Sequence, residues 1–135
     1  MRKSNIHATF KSDIQSVWAV VTDNTHTEWR SDLSRVEISE DGRRFTEYTH
    51  DGHHTEFFIT TKVPFNHYAF DMQSPFFTGH WIGLLSSLPD GGTEIDFTEE
   101  LSIKNPVMEV LSYLFMNLKQ IQQTYVDDLR KELRE

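Results

Sequence analysis

Glu99 is the residue whose surroundings in the chain point most directly to chemistry. It stands in the stretch 93–104, where Ile95, Phe97, Leu101 and Ile103 share its parity and Glu94, Asp96, Thr98 and Glu100 occupy the other. A strand repeats every two residues, so the face that buries those four apolar side chains also carries the Glu99 carboxylate inward. An unpaired carboxylate in an interior is costly; it finds a partner, takes a raised pKa or faces a wet cavity. In a cavity it can anchor a ligand's hydroxyl or amine, or serve as a general base. A bulge at Glu99-Glu100 would instead turn it to solvent.

Other candidates carry a double reading. His80 lies between Gly79 and Trp81, opposite in face to Trp81 and on the side of Ile82 and Leu84. It suits either a satisfied core or sheet-edge histidine or a hydrogen-bonder in a pocket. Tyr48 and Tyr125 are similar, because a buried hydroxyl needs a partner that a ligand can supply. Arg30 follows Trp29 at the expected mouth of such a pocket, where an acidic ligand would meet it. His50, His53 and His54 cluster around an Asp-Gly turn. Zinc takes three or four fixed ligands, and a turn tip with no carboxylate at helical spacing supplies none, so a solvated turn is expected and no metal. The chain holds no phosphate-binding glycine loop, nucleophile elbow or HExxH pair, which argues against nucleotide hydrolysis and metalloprotease chemistry. No cofactor is expected.

These residues need elements to hold them. The C-terminal stretch 105–135 carries Val107, Leu111, Leu114, Leu118, Ile121, Tyr125 and Leu129 at steps of three and four, and Val110, Phe115 and Val126 widen the stripe. That periodicity predicts one amphipathic helix of roughly 45 Å, opened by Asn105-Pro106. The segment before it reads mainly as strands. Ile6, Ala8 and Phe10 alternate in the first. Ser12-x-x-Gln15 has capping-box spacing and opens a helix carrying Ile14, Val17, Trp18 and Val21. Thr25-x-x-Glu28 suits one further turn of helix, which would bring Trp29 against the first. From Leu33 onward, turn signals such as Asp41-Gly42, Asp51-Gly52 and Asp90-Gly91-Gly92 recur about every ten residues, so the strands form hairpins in an antiparallel sheet. A sheet that covers so long an apolar stripe must curve around it.

Composition bounds the rest. The 135 residues suit a single domain spanning 1–135. Ten Phe, four Tyr and three Trp make an aromatic-rich core that leaves shaped gaps. A net charge of −8 argues against nucleic acid and anionic membranes as partners. The absence of cysteine removes disulfides, thiolate catalysis and cysteine-based zinc sites. No apolar run approaches the ~20 residues of a membrane span and no secretory signal is seen, so a soluble cytoplasmic protein without membrane insertion, a monomer or homodimer, is expected.

In the order of its elements the chain resembles the START-like superfamily with the helix-grip fold, also called SRPBCC or polyketide cyclase/dehydrase-like. The resemblance runs through Ser12-Asp13-Ile14-Gln15-Ser16-Val17-Trp18 after a first strand, and Glu28-Trp29 before a strand with Val36. It continues in Gly79-His80-Trp81, in Pro89-Asp90-Gly91-Gly92-Thr93-Glu94-Ile95 and in the terminal helix. It implies an α+β fold: a curved antiparallel sheet of about seven strands wrapped around a long C-terminal helix, two short helices after the first strand, and a cavity between sheet and helix. It implies no single activity, since such proteins include lipid and hormone carriers, aromatase/cyclases, chaperone co-factors and toxin components.

Two functions follow as expectations. The first is a binding protein for a small hydrophobic or aromatic molecule, lipid-like or polyketide-like. Its cavity is expected to be lined by Trp18, Trp29, Phe57, Ile59, Phe70, His80, Trp81, Phe97, Glu99, Leu111, Leu114, Phe115, Leu118 and Tyr125. The second is a cyclase or dehydratase-type enzyme that uses the same cavity with Glu99, His80 or a tyrosine as acid/base. Acid/base chemistry asks for at least two convergent polar groups, and the sequence offers one plausible interior carboxylate, so binding leads. A docking protein would need an exposed apolar or charged patch that the sequence does not display.

Overall fold

In the computed structural model, residues 1–135 are described apart from the side chains of Leu114 and Phe115. Alternation along the chain becomes a single sheet. Strand β1 (Arg2–Phe10) leads into helix α1 (Ile14–Thr22), and β2 (Leu33–Ile38), β3 (Arg44–Thr49), β4 (His54–Val63), β5 (His67–Gln73), β6 (Phe77–Ser87) and β7 (Thr93–Ile103) follow. The sheet order is β1-β7-β6-β5-β4-β3-β2 with every neighbour antiparallel, so successive hairpins build six strands and the first closes on the last. Gly52 and Gly91 sit at φ +89° in two of the turns, a conformation that costs other residues strain. The seven-stranded sheet with a long terminal helix is the architecture expected from the order of elements.

The helices differ from expectation in three places. Asp13, rather than Ser12, caps α1, its side chain accepting from the Ser16 N–H at 2.8 Å. The segment after Thr25 forms turns instead of a second helix, and Trp29 packs edge-on against Tyr125, with ring centroids 5.2 Å apart. The C-terminal stretch is two helices, α2 (Pro106–Phe115) and α3 (Leu118–Glu132), separated by Met116 and Asn117 in extended conformation. Asn105 caps α2 and Asn117 caps α3, the latter accepting from the Gln120 N–H at 3.1 Å. Arg2 compensates the break: its Nη1 donates at 2.6 Å to the Met116 carbonyl, an acceptor that a continuous helix would have satisfied itself, and at 3.2 Å to the Ser112 carbonyl, which already accepts from the Met116 N–H.

The break redirects α2. Val107, Val110, Leu111 and Tyr113 are exposed, at 66, 70, 41 and 63%, so the apolar strip assigned to the core lies on the surface there. Helix α3 keeps the expected role, burying Leu118, Val126 and Leu129 against the sheet. The core has two parts. One joins Ile6, Phe10, α1 and the far half of α3; the other joins Phe45, Phe57, Met72, Leu101 and Leu118. No helix among the described residues is long and apolar enough to cross a membrane.

Candidate functional site

Members of both core groups leave a space between sheet and α3. Alternation places Phe45 and Glu47 of β3, Phe57 of β4, Tyr68, Phe70 and Met72 of β5, Trp81 of β6, and Phe97, Glu99 and Leu101 of β7 on its sheet wall, and α3 closes it with Leu118, Gln122 and Tyr125. The volume is about 1120 Å³, just above the roughly 300–1,000 Å³ usual for small-molecule pockets. Exposed residues of the β3–β4 turn (Asp51, Gly52, His53), of the β5–β6 turn (Pro75, Phe76) and of α3 (Gln120, Ile121) form its rim.

An aromatic run crosses the wall. Phe45 stacks on Phe57 with centroids 4.7 Å apart, Phe70 stacks on Trp81 at 4.9 Å, and Phe97 lies tilted against Trp81 at 4.7 Å. Edge-on contacts of Phe57 with Phe70 and of Phe97 with Tyr125 link these pairs into one surface. Gly83 makes the Trp81 position possible: a Cβ there would lie 2.5 Å from the indole ring and 3.1 Å from Phe97.

The polar groups concentrate on one part of this surface. Arg30 reaches in from the loop after α1, its Nε and Nη2 donating to Asp32 at 3.0 and 2.9 Å and its Nη1 to Glu47 at 3.4 Å. Its guanidinium also lies over the Tyr125 ring, 4.8 Å from the centroid. Burial works against the Arg30 charge, but the Glu47 and Asp32 carboxylates outweigh it and hold the pKa above its ordinary value. Burial raises the Glu47 pKa, and Arg30 only partly offsets this. Glu99 stands directly opposite Trp81 in the β6–β7 register. Among the described residues its carboxylate takes part in no hydrogen bond, and burial, reinforced by Glu47, pushes its pKa up to about 7. Desolvation likewise raises the Tyr125 and Tyr68 hydroxyls, with Asn24 donating to the Tyr68 oxygen at 3.2 Å. The interior wall therefore contains one unpaired carboxylate, Glu99, poised near neutrality and one, Glu47, that is committed to an arginine.

Of the residues named from the sequence, Phe57, Phe70, Trp81, Phe97, Glu99, Leu118 and Tyr125 line this space. Trp18, on α1, is buried in the core, where it meets Tyr68 edge-on, and Trp29 and Ile59 pack against the core cluster without lining the space. Leu111 faces solvent, because the break after α2 turns it away. Leu114 and Phe115 lie outside the described residues. His80 is corrected outright: Trp81 takes the inner face, and the exposed His80 ring shares a hydrogen bond with Asp71 on the outer surface at 2.5 Å. Tyr48 also lies outside the cavity, its hydroxyl donating to Glu37 at 3.2 Å. Arg30 is engaged by two carboxylates rather than waiting at the mouth. Glu47 was missed although it shares parity with Phe45, and with it the interior holds a second carboxylate. Among the described residues no group of histidines and carboxylates is disposed to hold a metal.

The fold recurs widely among solved structures. The Zhui aromatase/cyclase from Streptomyces sp. R1128 aligns with TM-score 0.83 at 13% identity, covering 97% of this chain and 92% of that one. A conserved protein from Geobacillus kaustophilus aligns with TM-score 0.78 at 13% identity, covering 98% and 95%. A START superfamily protein from Mycobacterium smegmatis aligns with TM-score 0.77 at 10% identity, covering 98% and 97%. At these identities the likeness establishes the fold. No curated protein matches the chain. The family model described as polyketide cyclase / dehydrase and lipid transport matches residues 1–134, and the chain belongs to that family.

Proposed function

We propose that this protein binds a small, largely apolar or aromatic molecule, lipid-like or polyketide-like, between the sheet and α3. The observation that carries this reading is the aromatic-walled space of about 1120 Å³ with a small polar cluster on one part of its wall. Pockets that hold small molecules combine apolar walls with a few convergent polar groups, and the family's description includes lipid transport. Phe70, Trp81 and Phe97 present flat surface to a ring system, while Glu99 takes a hydrogen bond from the ligand's polar end. A thermal-shift screen of lipids, flavonoids and polyketides tests it. A ligand at about 100 times its dissociation constant adds roughly 2.7 kcal/mol to stability. Uniform melting across the whole screen would count against the proposal.

A second reading, a cyclase or dehydratase-type enzyme, is favoured by one observation. Two interior carboxylates stand in environments that give them different roles: Glu47 is tied to Arg30, and Glu99 is unpaired with a pKa near 7. That suits Glu99 as the acid/base and leaves His80 no part in it. In a turnover assay with a polyketide-like substrate, Glu99→Gln would lose about 10²–10⁴-fold in rate while binding survived. If Glu99 only anchors a ligand, the same change alters affinity by no more than ~1.5–3 kcal/mol.

A further inference from the structure

The charge around the cavity narrows the class of ligand. Among the described residues that line it, Glu47 and Glu99 supply two interior carboxylates and Asp32 and the exposed rim residue Asp51 two more, against one guanidinium, Arg30, two exposed rim histidines, His53 and His54, and no lysine. Arg30 is already engaged: Asp32 accepts two of its hydrogen bonds and Glu47 a third. An acid that enters the interior meets no unengaged guanidinium or ammonium among the described lining residues and must approach Glu47 and Glu99 across apolar walls, where charges are less screened than at the rim. Glu99 has the opposite appetite. It stands across from Trp81 and accepts no hydrogen bond from the described residues, so a donor brought by the ligand satisfies it.

We infer that the cavity selects hydrophobic amines, with the apolar body against Trp81 and Phe97 and the ammonium donating to Glu99, over the corresponding carboxylic acids. This rests on the reading of the cavity as a ligand site and specifies the polar group it takes. An ammonium offers three donors and a positive charge, whereas a neutral alcohol offers a single donor and a carboxylate none. A charge-assisted bond is stronger than its neutral counterpart, so the order of affinity is amine, then alcohol, then acid.

Isothermal titration calorimetry at about pH 8 with naphthylethylamine, naphthylethanol and naphthylacetate tests the inference, since the three share one apolar body. At that pH Glu99 is largely ionised and the amine is still protonated. The expected result for the natural protein is an amine affinity about tenfold or more above that of the acid. In Glu99→Gln the advantage of the amine over the alcohol is expected to disappear. An acid that binds as tightly as the amine overturns the inference, as does an amine preference that survives in Glu99→Gln. Should that variant fail to fold, the comparison of the three probes on the natural protein still decides. Alcohol binding without the charge preference leaves the cavity reading standing while this inference falls; binding of none of the three removes both.

Discussion

The Arg30 guanidinium and the Glu47 carboxylate meet 3.4 Å apart inside the fold, with side-chain exposures of 14 and 18%. Glu47 and Asp32 together outweigh the desolvation of Arg30, whereas Arg30 only partly offsets the desolvation of Glu47, to which Asp32 adds repulsion; the arrangement leaves Glu99 as the unpaired acid on the cavity wall. Removing one partner should therefore cost more than removing both. Arg30→Met is expected to destabilise the protein by about 3 kcal/mol in urea unfolding, and Arg30→Met combined with Glu47→Gln to recover more than half of that. Strictly additive losses would show that the two groups do not act as a pair.

Glu99 makes stability depend on pH in a direction opposite to a paired carboxylate. Its pKa is raised from 4.5 to about 7 on folding. Well below 4.5 it is protonated in both states and costs nothing. Between the two values the folded state holds a proton that the unfolded state has released, so stability falls as pH rises. Above about pH 7 the loss is complete, on the order of 3 kcal/mol. Glu99→Gln should thus leave stability near pH 4 unchanged and raise it at pH 8 by up to that amount. The measurement is urea unfolding of both proteins at the two pH values, and an equal increment at both would contradict the assignment. The groups that face Glu99 are Glu47 on β3, Arg30 in the loop after α1 and Arg2 on β1.

Gly83 links packing to the shape of the cavity. Because a Cβ would come within 2.5 Å of the Trp81 ring, Gly83→Ala must displace the indole or the strand. Overpacking of this kind costs about 1–3 kcal/mol. Since Trp81 forms part of the wall, affinity for an aromatic probe should fall together with stability, whereas Gly91→Ala, in a turn away from the cavity, should strain its backbone and leave affinity unchanged. Equal affinity in Gly83→Ala would show that Trp81 does not shape the bound state.

The sequence exposed those features that depend on local period. Ile95, Phe97, Glu99 and Leu101 share parity in a strand, so the inward direction of Glu99 followed from spacing alone, and recurrent Asp-Gly turns implied the order of hairpins. Features made between distant segments were not legible. The apolar stripe runs unbroken through Met116 and Asn117, while the carbonyl partner that permits the break is Arg2, at the other end of the chain. The Arg30–Glu47 pair likewise joins a loop to a strand, although the parity of Glu47 with Phe45 was there to be seen. His80 was ambiguous because β6 carries apolar residues on both faces. Ile82 and Leu84, which share its side, are themselves 37 and 43% exposed, and the larger aromatic ring of Trp81 took the interior.

Native mass spectrometry of the protein incubated with naphthylethanol tests the central claim most directly, because this neutral probe asks only whether the interior admits an apolar molecule. One bound molecule per chain, saturating with concentration and weakened by Gly83→Ala, is the predicted result. A spectrum containing only unliganded protein up to the solubility limit of the probe would contradict the account.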